Sequence, residues 1–232
     1  MALLKWDQTG EKLYELGCDR AVLYKCKPDG AYNTGVAWNG LSSVSESPNG
    51  GDSNPIYADN KKYLDLRATE EIEGSIEAYT YPEEWLECDG TAQVVPGVLV
   101  GQQTRLMFGL TYRTMIGNDV KQTDYGYKIH LIYGATASPS EKSFETETDS
   151  PDPQAFSWDY TTTKVELTGA YKNYRPTASI VIDSTKVDAT KLKELEDILY
   201  GTDADASTNT EGTDPRLPLP AEVFAIFAKS KP

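Results

Sequence analysis

Six glutamates fall within sixteen residues of a strand-like stretch, EEIEGSIEAYTYPEEW, at positions 70–85. Carboxylates this close together are typical of a hydrolase's acid and base, of a hard-metal site, or of a negatively charged surface. Side chains alternate between the two faces of a strand. One face then carries the polar residues Glu71, Glu73, Ser75 and Glu77, and the other carries Ile72, Gly74, Ile76 and Ala78.

Neither acid–base catalysis nor metal binding is favoured by this pattern. Successive carboxylates on one strand face stand roughly 7 Å apart, which an inverting glycosidase would tolerate. An acid–base pair, however, needs two different environments to separate its pKa values, and neighbours on one face share theirs. The chain has no calcium-loop motif, and a stiff strand does not wrap oxygen ligands around a cation. Two interpretations stay open: a solvated edge strand with protective charge, and the wall of a water-filled passage.

The residue motifs of other catalytic sites are also missing from the sequence. His130 is the one histidine, in the strand-like stretch YKIHLIYG, and it is predicted to be a structural residue. No GxSxG nucleophile elbow, phosphate-binding loop or GxGxxG fingerprint is present, and the Cys and His spacings do not describe a zinc site. We therefore expect no enzyme activity, no metal and no cofactor.

Charge and composition restrict the partners. The net charge of −14 and pI near 4.5 argue against ordinary nucleic-acid binding and against an anionic membrane surface. The N-terminus MALLKWDQTG lacks the apolar region of a signal peptide, and no apolar run reaches the roughly 18–20 residues of a membrane span. Cys18, Cys26 and Cys88 are expected to be reduced thiols in a protein made in a cytoplasm.

The remaining pattern predicts one mostly antiparallel domain over residues 1–232. About nine segments alternate like strands, including RLMFGLTYRTMIG, whose two partly apolar faces suggest cover by another subunit on one side. One firm helix is predicted over 189–200, and a short one at PEEWLE. Residues 45–60 and 202–220 are interpreted as long loops. A last strand is predicted after the second loop, with a shared face formed by Val223, Ala225 and Phe227.

Whole phrases of the chain resemble a known family. They include GVAWNGLSSVSESPNG, EGSIEAYTYPEEWLECDG, FGLTYRTMIGND, TDYGYKIHLIYG, FSWDYTTTKV and RPTASIVIDSTKVD. In number and order they are similar to the major tail proteins, or tail-tube proteins, of long-tailed (siphophage-type) bacteriophages and prophages of Gram-positive bacteria. The resemblance spans residues 6–201.

The resemblance implies a fold and an assembly. The fold would be mainly β: an antiparallel β-sandwich or barrel of the tail-tube type with one flanking helix at 189–200 and a long inter-strand loop. Subunits would form stacked rings, hexameric in this family, and the rings a hollow tube in the virion tail. The expected partners are further copies of the chain, a tape-measure protein, tail-terminator and baseplate proteins, and double-stranded DNA that passes without specific binding.

The resemblance also assigns places to two segments. Residues 45–60 match the loop that reaches the next ring, and its tip is Pro48, Asn49, Gly50, Gly51, Asp52 and Ser53. Glu71, Glu73 and Glu77 become candidates for a negatively charged lumen wall that repels DNA phosphates. The alternatives are the inner tube of a contractile tail or injection particle, and a β-rich module that stacks cell-wall sugar on Trp38, Trp85 or Trp158.

Overall fold

The fold is mainly β, with two longer helices on one side of the sheet and a short helix elsewhere. The computed structural model describes residues 3–144, 146, 153–204 and 211–228. Within those ranges the strands are β1 (Leu13–Lys25), β2 (Val36–Trp38), β3 (Leu41–Asn49), β4 (Ser53–Ala58), β5 (Lys61–Arg67), β6 (Glu71–Ala78), β7 (Ala92–Val95), β8 (Val98–Val100), β9 (Phe108–Asn118), β10 (Gln122–Ala137), β11 (Phe156–Thr162) and β12 (Ser179–Asp183). The α-helices are α1 (Trp85–Cys88), α2 (Ala189–Tyr200) and α3 (Pro220–Ala228).

One antiparallel sheet contains eight of these strands. Its order is β2-β1-β9-β10-β11-β6-β3, and β12 pairs with β10 beside that path. Strand β10 changes partner along its length: residues Lys128–Ile132 pair with β12, and Ala135–Ala137 pair with β11. Gly134 lies at the change with a φ of 59°, and the register with β9 shifts there. A left-handed glycine at a β-bulge bends a strand sharply. The bend divides the sheet into two layers.

The layers enclose an aromatic core. Trp38, Trp85, Trp158 and Phe108 are buried there in mutual ring contact, with centroids 4.7–5.7 Å apart. Strands β3, β6 and β11 form the layer on one side of this core. The short helix α1, predicted from PEEWLE, fills one end of it through Trp85 and Cys88.

A second core lies on the other face of the central strands. Helices α2 and α3 cover Leu131 and Tyr133 of β10 with apolar side chains, namely Leu192, Leu195, Leu199, Val223 and Ile226. The mainly β sandwich with a flanking helix is thus confirmed. Strand β9 is therefore covered on both faces by the chain itself, and the expectation that another subunit covers one face is wrong. Thr111 is buried by the chain's own residues, and Gly109 lies against Leu217 and Tyr32.

Helix α2 has the predicted bounds, but the prediction of a last strand is wrong. Asp188 caps α2 by accepting hydrogen bonds from the backbone N–H groups of Thr190 and Lys191, and Gly201 follows with a φ of 75°. Residues 220–228 form α3 instead, so two helices flank the sheet. Val223 and Ile226, three residues apart, face the core while Ala225 is exposed. A short, almost entirely apolar segment fits helical and strand periods alike.

The interpretation of residues 45–60 as one long loop is also wrong. The polar strand β3 continues to Asn49, and β4 and β5 form a separate hairpin. Asp59 and Asn60 connect them with φ values of 52° and 60°, the conformation of a tight hairpin turn. A further hairpin of β7 and β8, turning at Pro96–Gly97, is absent from the predictions above.

Only part of the second predicted loop is within the described ranges. Thr202 and Thr213 bridge in antiparallel fashion, and Leu217 is buried in the second core. Residues 205–210 lie outside the described residues. None of the helices in the described ranges is both long and apolar enough to span a bilayer.

Candidate functional site

Strand β6 carries the glutamate cluster and lies inside its layer. It pairs with β3 on one side and β11 on the other, so the edge-strand interpretation is wrong. The predicted alternation is confirmed: Ile76 and Ala78 are fully buried in the aromatic core, while Glu71 and Glu77 are exposed. Gly74 makes room for Tyr160, because a Cβ there would come within 2.5 Å of the tyrosine hydroxyl.

Cross-strand register extends the polar face over three strands. Glu77 lies between Ser43 and Ser157, and Ser75 lies between Ser45 and Asp159. We call this surface the acidic face; its members are Ser43, Ser45, Ser47, Asn49, Glu71, Glu73, Ser75, Glu77, Ser157, Asp159 and Thr161. It combines four carboxylates with small polar side chains. No lysine or arginine occurs in β3, β6 or β11, all of which are described throughout.

Neutral donors hold two of the carboxylates in place. Ser43 Oγ donates to Glu77 Oε2 over 2.9 Å, and Asn49 Nδ2 donates to Glu73 Oε1 over 2.7 Å. The hydroxyls of Ser45 and Ser75 are 2.8 Å apart. These bonds fix side-chain positions without neutralising charge. The acidic face therefore presents an ordered array of negative charge.

A half-buried polar cluster fastens the acidic face to the central sheet. Glu46 projects from β3 to the side opposite the acidic face. It accepts a hydrogen bond of 2.5 Å from the Tyr112 hydroxyl of β9. His130 of β10 stacks on Tyr112, with ring centroids 4.5 Å apart and planes at 6°. Its Nδ1 lies 3.6 Å from Glu46 Oε1, and its Nε2 lies 3.0 Å from Thr114 Oγ1. We call Glu46, Tyr112, Thr114 and His130 the Glu46 cluster.

The contacts within the Glu46 cluster shift the pKa values of Glu46 and Tyr112. Burial alone would raise the pKa of Glu46, but the neighbouring His130 and Tyr112 favour the carboxylate and hold that pKa below its ordinary value. Burial and the adjacent carboxylate raise the pKa of Tyr112, so its hydroxyl stays a donor. The contacts of His130 with Tyr112 and Thr114 fit its predicted structural role, which stays a prediction. Glu46 was not singled out from the sequence, although its inward position follows from the alternation of β3.

The residues of the predicted inter-ring tip connect β3 to β4, and their inter-ring role stays a prediction. Pro48 and Asn49 belong to β3 and pair with Ile72 and Glu71. Gly50 and Gly51 follow with φ values of 85° and 76°, and a Cβ on Gly50 would come within 2.6 Å of the Thr69 carbonyl oxygen. Asp52 and Ser53 then lead into β4. The six residues Pro48–Ser53 therefore turn the chain out of the main sheet.

Beyond this connection, β4 and β5 form an exposed arm. We call residues 53–67 the hairpin arm. It pairs only with itself among the described strands, and its two-stranded sheet is separate from the main one. Tyr57 and Tyr63 are 68% and 72% exposed, and Leu66 is 53% exposed. Apolar side chains clustered at such an exposure are typical of a contact surface.

The tryptophans proposed for sugar stacking do not reach the surface. Trp38, Trp85 and Trp158 are 3%, 0% and 1% exposed, and they pack against one another. A sugar-binding platform needs an open ring face. The carbohydrate interpretation of these residues is therefore wrong.

The thiols and the metal search add no further site in the described part of the chain. Cys18, Cys26 and Cys88 are free, and burial raises the pKa of Cys88 to about 12. No group of three or more His, Cys, Asp or Glu side chains there could hold a metal ion.

Comparison of the sequence with protein-family models and with curated proteins finds no match. The acidic face and the hairpin arm are the two candidate functional surfaces of the described chain.

Proposed function

We propose that this protein is the structural subunit of a phage tail tube, assembling as stacked, hexameric rings into a hollow tube that conducts viral DNA to the host. The acidic face is the observation that carries the proposal. A surface of three adjacent strands that is polar throughout, acidic and free of cations suits the wall of a water-filled channel. It is not a surface that would hold DNA, since affinity for phosphates comes from Lys and Arg.

Charge of this kind repels DNA phosphates along the whole passage. Glu71, Glu73 and Glu77 in each of six subunits would give about eighteen carboxylates per ring, and ions in the channel water would limit the repulsion to about a Debye length of 10 Å. DNA in a channel so lined is kept off the wall and slides. Backing the face with a rigid aromatic core keeps the wall smooth.

The layer that bears the acidic face also offers an edge for assembly. Strand β3 ends the main sheet, and its far side pairs with no named strand in the described ranges. A free edge invites pairing with a neighbouring chain, and closing strands into a continuous barrel removes exposed edges. The hairpin arm, which leaves the sheet at the end of the same strand, is placed to reach a subunit in the next ring.

Reversing the charge of the acidic face tests the proposal. We expect the combined Glu71→Lys, Glu73→Lys and Glu77→Lys variant, supplied in trans to a phage lacking its own tube gene, to assemble tails that deliver DNA poorly. Three substitutions add six charges and change the net charge from −14 to about −8. The matched control places the same six charges on Glu11, Glu83 and Glu166, exposed carboxylates outside the acidic face.

Titre and DNA release from purified particles are the readouts. The control variant should deliver DNA normally, and a triple Glu→Gln variant of the acidic face should fall between control and Lys variant. Equal delivery by the Lys variant and its control would contradict a channel-lining role.

A further inference from the structure

Hairpin β7–β8 exposes apolar side chains with no cover in the described chain. Its seven strand residues include Val94, Val95, Val98, Leu99 and Val100, all between 43% and 65% exposed. The turn at Pro96–Gly97 leaves both faces of the hairpin open. A two-stranded hairpin is marginally stable by itself in water. Its aliphatic surface therefore needs a partner.

The same hairpin is free of charge. From Thr91 to Thr104 the sequence contains no ionisable residue, although a quarter of the whole chain is charged. Two copies of a protein with a net charge of −14 repel each other, so they meet most favourably where carboxylates are missing. The hairpin arm, in contrast, carries five charged residues between Asp59 and Arg67. Lack of charge makes β7–β8 a favourable place for like-charged copies to meet.

A complementary groove lies elsewhere on the subunit. It has a volume of about 550 Å³ between β12, α3 and the 3₁₀ turn Gly169–Tyr171. Its lining includes Leu167, Tyr174, Ile180, Phe224 and Phe227. Arg175 is the one charged side chain among the lining residues, and no carboxylate lines the groove. An acidic segment of a neighbour would be attracted to Arg175, but the mainly apolar lining suits an uncharged aliphatic tip better.

We infer that the tip of hairpin β7–β8 docks into this groove of a second copy of the chain. The contact joins two different surfaces, so it is heterologous and propagates around a ring or along a filament instead of stopping at a dimer. A nine-residue hairpin does not by itself reach the roughly 800 Å² per partner of a standard interface. The inference therefore rests on the proposed ring, in which this contact adds to paired sheet edges.

Cysteine crosslinking tests the contact directly. Val98 on the hairpin and Tyr174 in the groove are both exposed, so V98C and Y174C should leave the subunit folded. A chain carrying both substitutions should give, under mild oxidation, a ladder of crosslinked multimers. All variants also carry Cys18→Ser and Cys26→Ser, which remove the two partly exposed native thiols. A mixture of the two single variants should give dimers only, and each single variant alone should stay monomeric on a denaturing gel.

Two results would overturn the inference. One is the absence of a ladder from the double variant. The other is a V98C dimer as abundant as the dimer from the mixture, which would mean that hairpins meet each other. If the wild type forms tubes but the double variant gives no ladder, the docking inference is wrong and the tube proposal stands. If the double variant gives a ladder but the wild type forms no tubes, the tube proposal is wrong and the docking stands.

A charge substitution gives an independent readout. Val95→Asp, which places a carboxylate in the contact, should raise the protein concentration needed for assembly at least about tenfold. Val120→Asp, on an equally exposed valine in the turn between β9 and β10, is the control and should leave that concentration unchanged. Equal behaviour of the two variants would count against the docking.

Discussion

Single residues decide how firmly the acidic face is held. Glu46 is the one carboxylate of β3, and it points inward to Tyr112 and His130 while its neighbours Ser45 and Ser47 point outward. A buried carboxylate is stable only with partners. The hydrogen bond from Tyr112 therefore ties β3 to the central sheet in a defined register.

Replacing that carboxylate should change how stability depends on pH. The folded-state pKa of Glu46 is lowered, so its contribution is present above the unfolded pKa and lost as pH falls through the folded value. We expect Glu46→Gln to lower the free energy of unfolding at pH 7 by about 1–3 kcal/mol, the cost of disturbing a buried hydrogen bond. The difference from wild type should shrink below pH 4.5.

Urea unfolding followed by tryptophan fluorescence at pH 7, 5 and 3.5 measures both effects. Glu166→Gln, at an exposed position, is the control and should follow wild type at each pH. Wild-type and Glu46→Gln curves that stay parallel down to pH 3.5 would show that Glu46 is not the linked group.

The glutamates of the acidic face were predictable, whereas the part of the face formed by β3 and the Glu46 cluster were not. Alternation within β6 is local, so Glu71, Glu73 and Glu77 could be assigned to one face from sequence alone. The cluster depends on the register of β3, β9 and β10, and Glu46 and Tyr112 are 66 positions apart in the sequence. Local patterns contain no information on such pairings.

At the level of elements, caps and turns explain which predictions held. Helix α2 was predicted with its bounds because Asp188 and Gly201 mark both ends and leucines recur at the helical period. Helix α3 lacks such a contrast, since its residues are apolar nearly all round. The hairpin arm was not predicted because β3 and β4 are rich in Ser, Pro and Asn, which strands usually avoid.

The hairpin arm is the element whose removal should separate ring formation from stacking. The backbone N–H of Ala68 donates to the Asp52 carbonyl over 3.3 Å, so the two ends of the arm are adjacent. Replacing residues 53–67 with two glycines should therefore preserve the fold. We expect this variant to form rings or monomers instead of long tubes, because the apolar contacts of the arm are lost.

Electron microscopy gives tube length, and thermal unfolding gives the control. The deletion variant should melt close to wild type, since the arm is exposed along its length. A Tyr57→Ser, Tyr63→Ser variant keeps the arm but removes its exposed aromatic rings, and it should shorten tubes as well. Full-length tubes from the deletion variant would reject a stacking role.

At the scale of the molecule, the fold class could be predicted from the sequence, but the division of the sheet into two layers could not. Period-two patterns and turn residues predicted a mainly antiparallel fold. The division into two layers depends on the bend of β10 at Gly134, where one strand exchanges β12 for β11. A glycine inside a strand suggests a bulge, but not which strands will pair on either side of it.

Charge organises the whole surface. The acidic face gathers carboxylates on one layer, while hairpin β7–β8 and the groove beside α3 have none. In the proposed tube, a subunit with a net charge of −14 would then have separate regions for repelling DNA and for meeting its own copies. This arrangement unites the tube proposal with the docking of β7–β8.

Cryo-electron microscopy of the purified protein, at a resolution that traces strands, tests the central claim most directly. We expect hollow tubes of constant diameter made of stacked rings, with β3, β6 and β11 around the channel and Glu71, Glu73 and Glu77 facing its lumen. Featureless monomers at all concentrations, or tubes with these glutamates on the outer surface, would contradict it.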